Sequence, residues 1–167
     1  MAKTAHLALV FAAITTVVAP LAAKDSLGVF SGWAAFRDSE VPRCYAIAKP
    51  EPSDSENTTS PYASFGTWPE SDIRNQLHIR LSQPTARNAR ITLRVGNRNF
   101  VLTGSEGNAW SRDAAMDAAI IAAIRAADQM TVRSIAENGR RFADRYALAG
   151  AATAIDAATL ACSRRAR

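Results

Sequence analysis

Gln76–Ser82 reads QLHIRLS and Arg90–Val95 reads RITLRV, two runs in which apolar and polar residues alternate. Successive side chains of a strand point to opposite faces. Leu77, Ile79 and Leu81 therefore share one face with His78 and Arg80 on the other, and Ile91, Leu93 and Val95 back onto Arg90, Thr92 and Arg94. The pattern predicts half-buried strands with arginine on the wet side. Asn99–Thr103 (NFVLT) follows through Gly96-Asn97-Arg98 as a third strand. Met130–Ala136 and Arg140–Tyr146 flank Asn138-Gly139, a strong hairpin signal.

Upstream, Tyr62–Trp68 reads as another strand. Val29–Phe36 (VFSGWAAF) and Cys44–Lys49 (CYAIAK) read as two strands, joined by a turn through Asp38-Ser39-Glu40 and Pro42. Pro50–Pro61 has no large apolar residue and reads as a surface loop. Its sequon, Asn57-Thr58-Thr59, is too short a pattern to carry weight. Gly104, Ser105, Gly107 and Asn108 read as a turn.

Two stretches change to helical spacing. Ser111–Ala127 is Ala-rich, with Met116, Ile120 and Ile124 four apart and Asp113 and Asp117 where a helix dipole favours negative charge. Leu148–Arg164 repeats Leu148, Ile155 and Cys162 every seven residues. The expectation is a mainly β protein, an antiparallel β-sandwich or open barrel with two covering helices at about 111–127 and 148–164.

The chain begins as an export signal would. Lys3 is the only charge ahead of the apolar run Leu7–Val18, and Pro20 and Leu21-Ala22-Ala23 make a breaker and a small-residue cleavage site. Residues 1–23 are expected to leave, and the apolar core is too short and lacks a basic flank for a membrane anchor. Lys24–Arg167 then forms one domain in the periplasm or outside the cell, with no membrane span. Its two cysteines, Cys44 and Cys162, are expected to pair in an oxidising compartment. Closing so long a loop is worth on the order of 4–5 kcal/mol in the chain-entropy view.

Several features line up in order: Gly32-Trp33, Cys44-Tyr45-Ala46-Ile47-Ala48-Lys49-Pro50, Ala109-Trp110 ahead of the Ala-rich helix, and Asp144-Arg145-Tyr146-Ala147-Leu148-Ala149-Gly150 running to Cys162. Together they resemble the invasion-associated locus B (IalB) family of small exported alphaproteobacterial proteins. That resemblance implies an immunoglobulin-like β-sandwich and a periplasmic or envelope location. It implies a role tied to host-cell invasion without enzymatic activity, and gives Trp33, Tyr45, Trp110, Asp144 and Tyr146 as the motif residues.

Chemistry is sparse. Beyond the leader there is one histidine, His78, beside Arg80 and without a nearby acid to orient it, which argues against a serine–histidine–acid arrangement. One histidine and two paired cysteines leave no zinc set, and no glycine pattern suggests a nucleotide or other cofactor. Asp113 and Asp117 are explained by a helix start, and Asp144 by a turn-capping or hydrogen-bonding role. Trp33 and Trp110 read as core residues, while Trp68, beside Pro69, reads equally as core or exposed platform.

The strongest local bias is electrostatic. The full chain carries a net charge of +5, and Ile73–Ser105 contains no Asp or Glu but holds Arg74, Arg80, Arg87, Arg90, Arg94 and Arg98. His78, Arg80, Arg90 and Arg94 are expected to form a basic face that suits carboxylates or phosphates of anionic envelope polymers, or a protein partner. A solvated face that guards the sheet against aggregation is the bland alternative. Nucleic acid is a poor match for the compartment. The functional expectation is a non-enzymatic exported binding protein. The alternatives are a small extracytoplasmic hydrolase using carboxylates, and a periplasmic inhibitor or chaperone-like binder working through Pro50–Pro61.

Overall fold

The computed structural model describes residues 24–38, 40–53 and 58–163; the expected leader and Asn57 of the sequon lie outside them. Ten strands appear in chain order: β1 (Asp25–Phe30), β2 (Trp33–Asp38), β3 (Arg43–Ala48), β4 (Tyr62–Trp68), β5 (Ile73–Arg80), β6 (Ile91–Val95), β7 (Arg98–Ser105), β8 (Asn108–Trp110), β9 (Gln129–Ile135) and β10 (Arg141–Ala147). Two α-helices, α1 (Ala114–Ile124) and α2 (Ala151–Ser163), complete the mainly β architecture. The helices are shorter than the spacing predicts, because Asp113 caps α1 through its side chain on Met116 N and Gly150 stands ahead of α2.

All pairings are antiparallel, in the order β1-β2-β3-β4-β5-β8-β7-β6-β9-β10. β7 turns the corner between two layers. Its first part pairs with β6 and its last residues, Thr103–Ser105, pair with β8. The bend needs Gly104, since a Cβ there would collide with the carbonyl of Asn108. The sheet thereby folds back on itself in a sandwich-like arrangement. Ser82 N donates to Asp144 Oδ2 at 2.9 Å, and Glu51 N donates to Arg145 O at 2.7 Å, so β10 lies across the ends of β3 and β5.

The alternation read from the sequence sets the core. Leu77, Ile79, Leu93 and Val132 are buried between the layers, beside Trp33, Phe65, Met130 and Tyr146. Helix α2 packs on β1 to β4, with Ala151, Ala154, Ile155, Ala158 and Cys162 inward. A disulfide joins Cys162 to Cys44 on β3, with the two Cα atoms 5.8 Å apart. Helix α1 packs on β5, β6 and β7.

Two sequence readings are corrected. Val29–Phe36 is not one strand: Ser31, at φ +54°, and Gly32 turn the chain so that Phe30 pairs with Trp33. Asn108 does not end a loop but begins β8, a short strand that satisfies the free edge of β5. No helix among the described residues is long and apolar enough to cross a membrane.

Candidate functional site

The four residues assigned to one basic face are divided between the two layers. His78 and Arg80 lie on the outward side of β5, where Arg80 pairs with Tyr62 of β4 and Asn108 of β8. The His78 ring stacks on Trp110, with centroids 5.1 Å apart and planes 12° off parallel. Tyr62 meets the same ring edge-on at 5.4 Å. His78 Nε2 lies within hydrogen-bonding distance of Asn108 Oδ1, at 3.1 Å. This histidine is held by aromatic and amide neighbours, with no acid among them.

Trp110 is half-buried in this outward cluster rather than in the core, because β8 brings it beside β5. Tyr45 also faces outward, next to Phe36 at 5.6 Å and beneath the Arg43 guanidinium at 5.0 Å. Trp68 is half-buried and folds its ring over Gly66. Trp33 is fully buried, and its indole packs against Phe65.

Arg94 belongs to a different and larger cluster. On the outward side of β6 it pairs with Thr131 of β9, which in turn pairs with Arg145 of β10. The next rung runs from Thr92 through Arg133 to Ala143, and the one beyond joins Ile135 to Arg141. Arg90, one residue ahead of β6, is exposed. The register thus brings Arg94, Arg133, Arg141 and Arg145 onto one face. In the sheet order β8 and β7 stand between β6 and the strand of His78 and Arg80, β5.

Sequence reasoning missed Arg133, Arg141 and Arg145. The signal was present in RFADRYA, where Phe142, Asp144 and Tyr146 are buried and Arg141, Ala143 and Arg145 alternate outward. That alternation was legible; the register linking β9 to β6 was not.

No Asp or Glu occupies an outward position of β6, β7, β9 or β10, since the one acid in these strands, Asp144, points into the core. Among the described residues, none of Arg94, Arg133, Arg141 and Arg145 forms an ion pair. Glu51 lines a cleft beside them, and its carboxylate accepts from Gln129 Nε2 at 3.3 Å. Arg133, Arg141 and Arg145 line an open cleft of about 610 Å³ with Glu51, Pro52 and Ser53. Uncompensated guanidinium groups beside a concavity are suited to carboxylate or phosphate oxygens.

The carboxylates weighed for hydrolysis have other partners. Asp113 Oδ1 accepts from Met116 N at 2.8 Å. Buried Asp117 accepts from Leu77 N at 2.8 Å and from the Ser111 hydroxyl. Asp144, equally buried, accepts from Ser82 N. Burial pushes the Asp117 and Asp144 carboxyls above the ordinary carboxylate range, against the opposing pull of their hydrogen bonds. The two are anchored to backbone positions five residues apart, about 16 Å along an extended chain. Burial also raises the Tyr146 phenol, whose hydroxyl has no hydrogen-bond partner among the described residues. No cluster of three or more His, Cys, Asp or Glu suited to a metal occurs among the described residues.

Compared with known proteins, residues 35–159 match the model of the family described as Invasion associated locus B (IalB) protein. No curated protein and no solved structure matches the chain.

Proposed function

Because this chain belongs to the invasion associated locus B family, we propose that it is a non-enzymatic protein, exported to the bacterial envelope, that holds an anionic partner on the arginine face of β6, β9 and β10. One observation carries this reading: Arg94, Arg133, Arg141 and Arg145 share a face with no acid and no ion pair among the described residues. A merely solvated face has no need of one sign alone, and clustering like charges costs folded-state stability through self-repulsion. Export is supported by the leader pattern of residues 1–23 and by the Cys44–Cys162 disulfide, which persists in an oxidising compartment. The absence of catalysis is supported by the structural duties of Asp113, Asp117 and Asp144.

The test is retention of the protein, recovered from a periplasmic expression host, on beads carrying lipopolysaccharide or poly-glutamate across a salt gradient. Wild type is expected to elute at higher salt than the Arg94→Glu/Arg133→Glu/Arg145→Glu variant, because exposed charge pairing weakens as salt screens it. An Arg74→Glu/Arg80→Glu variant, altered on the other layer, is the control. Elution of all three proteins at the same salt would overturn the proposal.

A further inference from the structure

β10 is the last strand of the sheet, and one of its edges has no neighbouring strand. Which residues present backbone groups to that edge follows from the hairpin. Ala136 N donates to Arg140 O at 2.8 Å, so even-numbered residues of β10 face β9. Odd-numbered residues face away. Two of them already have partners there: Arg145 O accepts from Glu51 N, and Ala147 O accepts from Trp33 Nε1 at 2.9 Å. Between these contacts and the hairpin turn, the N–H and C=O groups of Arg141 and Ala143 have no hydrogen-bond partner among the described residues. They open into the 610 Å³ cleft lined by Arg133, Arg141, Arg145 and the apolar edge of Phe142.

We infer that this cleft takes an extended acidic peptide segment, which adds to β10 as an eleventh, antiparallel strand. The inference rests on the arginine-face reading above and names the partner's chemistry. Backbone groups of Arg141 and Ala143 supply the ladder, ending where Glu51 holds Arg145 O, and an exposed edge of this kind is a template for strand addition. Arg141 to Ala143 spans about 7 Å, room for two or three paired residues of the incoming chain. In an antiparallel pair, residues that exchange both hydrogen bonds lie directly opposite and place their side chains on the same face. Residues opposite Arg141 and Ala143 therefore point to the guanidinium side, where carboxylates fit. The alternate residues point toward Phe142, where small apolar side chains fit. The segment recognised has acidic and apolar residues in alternation. An anionic polymer without a peptide backbone satisfies the arginines but not the edge.

The test uses the protein from the periplasmic host and a capped hexapeptide of alternating Glu and Val. The peptide is made in three forms: unmodified, N-methylated at its Glu amides, and N-methylated at its Val amides. Methylation at Glu removes the donors facing β10 and is expected to weaken binding at least tenfold, while methylation at Val leaves it within about twofold. An Ala143→Pro variant, whose missing N–H lies on the free edge where proline is tolerated, is expected to lose peptide affinity and keep its retention on lipopolysaccharide. Its thermal unfolding is measured alongside, and the methylated peptides test the same bond without altering the protein.

Equal effects of the two methylations, or peptide binding lost only in the arginine variants, would reduce the site to charge attraction and overturn strand addition while the arginine-face reading stands. No peptide binding beside intact retention on lipopolysaccharide has the same meaning and assigns the face to a polymer. Arginine variants that change neither ligand remove both readings together.

Discussion

The indole Nε1 of Trp33 donates a 2.9 Å hydrogen bond to the backbone carbonyl of Ala147, 114 residues further along the chain. Trp33 opens β2 and Ala147 ends β10, the second and the last strand in the sheet order. The bond therefore records the folding back of the sheet, and its donor is fully buried. Ala147 O lies on the edge of β10 that faces away from β9, so Trp33 takes up one of that edge's acceptors.

Trp33→Phe keeps an aromatic ring but removes this donor and leaves part of the indole volume empty. An orphaned carbonyl and a cavity together give an expected destabilisation of about 2–4 kcal/mol in urea unfolding. A loss below about 1 kcal/mol would show that the bond contributes little to joining the layers.

Reducing Cys44–Cys162, or replacing both by alanine, is expected to lower stability by about 2–5 kcal/mol, since the bridge spans a sequence separation of 118. The loss should be read first at α2, which the bridge ties to β3. Hydrogen exchange in residues 151–163 that quickens before exchange in β5 would show this order; uniform change across the chain would contradict it.

Gly150→Ala is expected to be severely damaging. Gly150 has φ +83°, where an L side chain is strained, and a Cβ would run into the carbonyl of Phe30. That backbone neighbour has no rotamer by which to retreat. A fall of at least about 2 kcal/mol is expected, measured by thermal melting; a variant as stable as wild type would mean that the β1–α2 approach is loose.

Asp117 gives a pH prediction with a definite sign. Its carboxyl is raised above 3.8 by burial, so the folded chain holds that proton to a higher pH than the unfolded chain does. Its contribution therefore falls as pH rises from about 3.8 through the raised folded value. Asp117→Asn keeps Oδ1, which receives both Leu77 N and the Ser111 hydroxyl, and should flatten that slope while preserving the fold. Asp117→Ala leaves both donors unsatisfied and should cost about 1–3 kcal/mol. Denaturant titrations of the three proteins across acid pH check the sign.

Of the candidate site, the sequence showed parts but not their assembly. Arg94 was legible as outward because Leu93 and Val95 flank it, and the same alternation was available at Arg141 and Arg145. What joins them is the register Thr92–Arg133–Ala143, set by pairing between segments some forty residues apart. His78 and Arg80 were grouped with Arg94 because they share an acid-free stretch. The structure inserts β8 and β7 between them, since Asn108–Trp110 pairs with both.

By itself the sequence determined the period of each element, because alternation by two or by seven residues depends on which positions can be buried. It also fixed the two helices, the Asn138-Gly139 hairpin and the cysteine pair, all local or forced by count. Only the tertiary structure decided which strands are neighbours and where the sheet folds over. It likewise decided that Asp117 and Asp144 would be buried as acceptors for distant backbone N–H groups. Those outcomes depend on a balance of core packing and hydrogen-bond satisfaction over the whole chain. No window of sequence contains that balance, and the arginine face exists because of it.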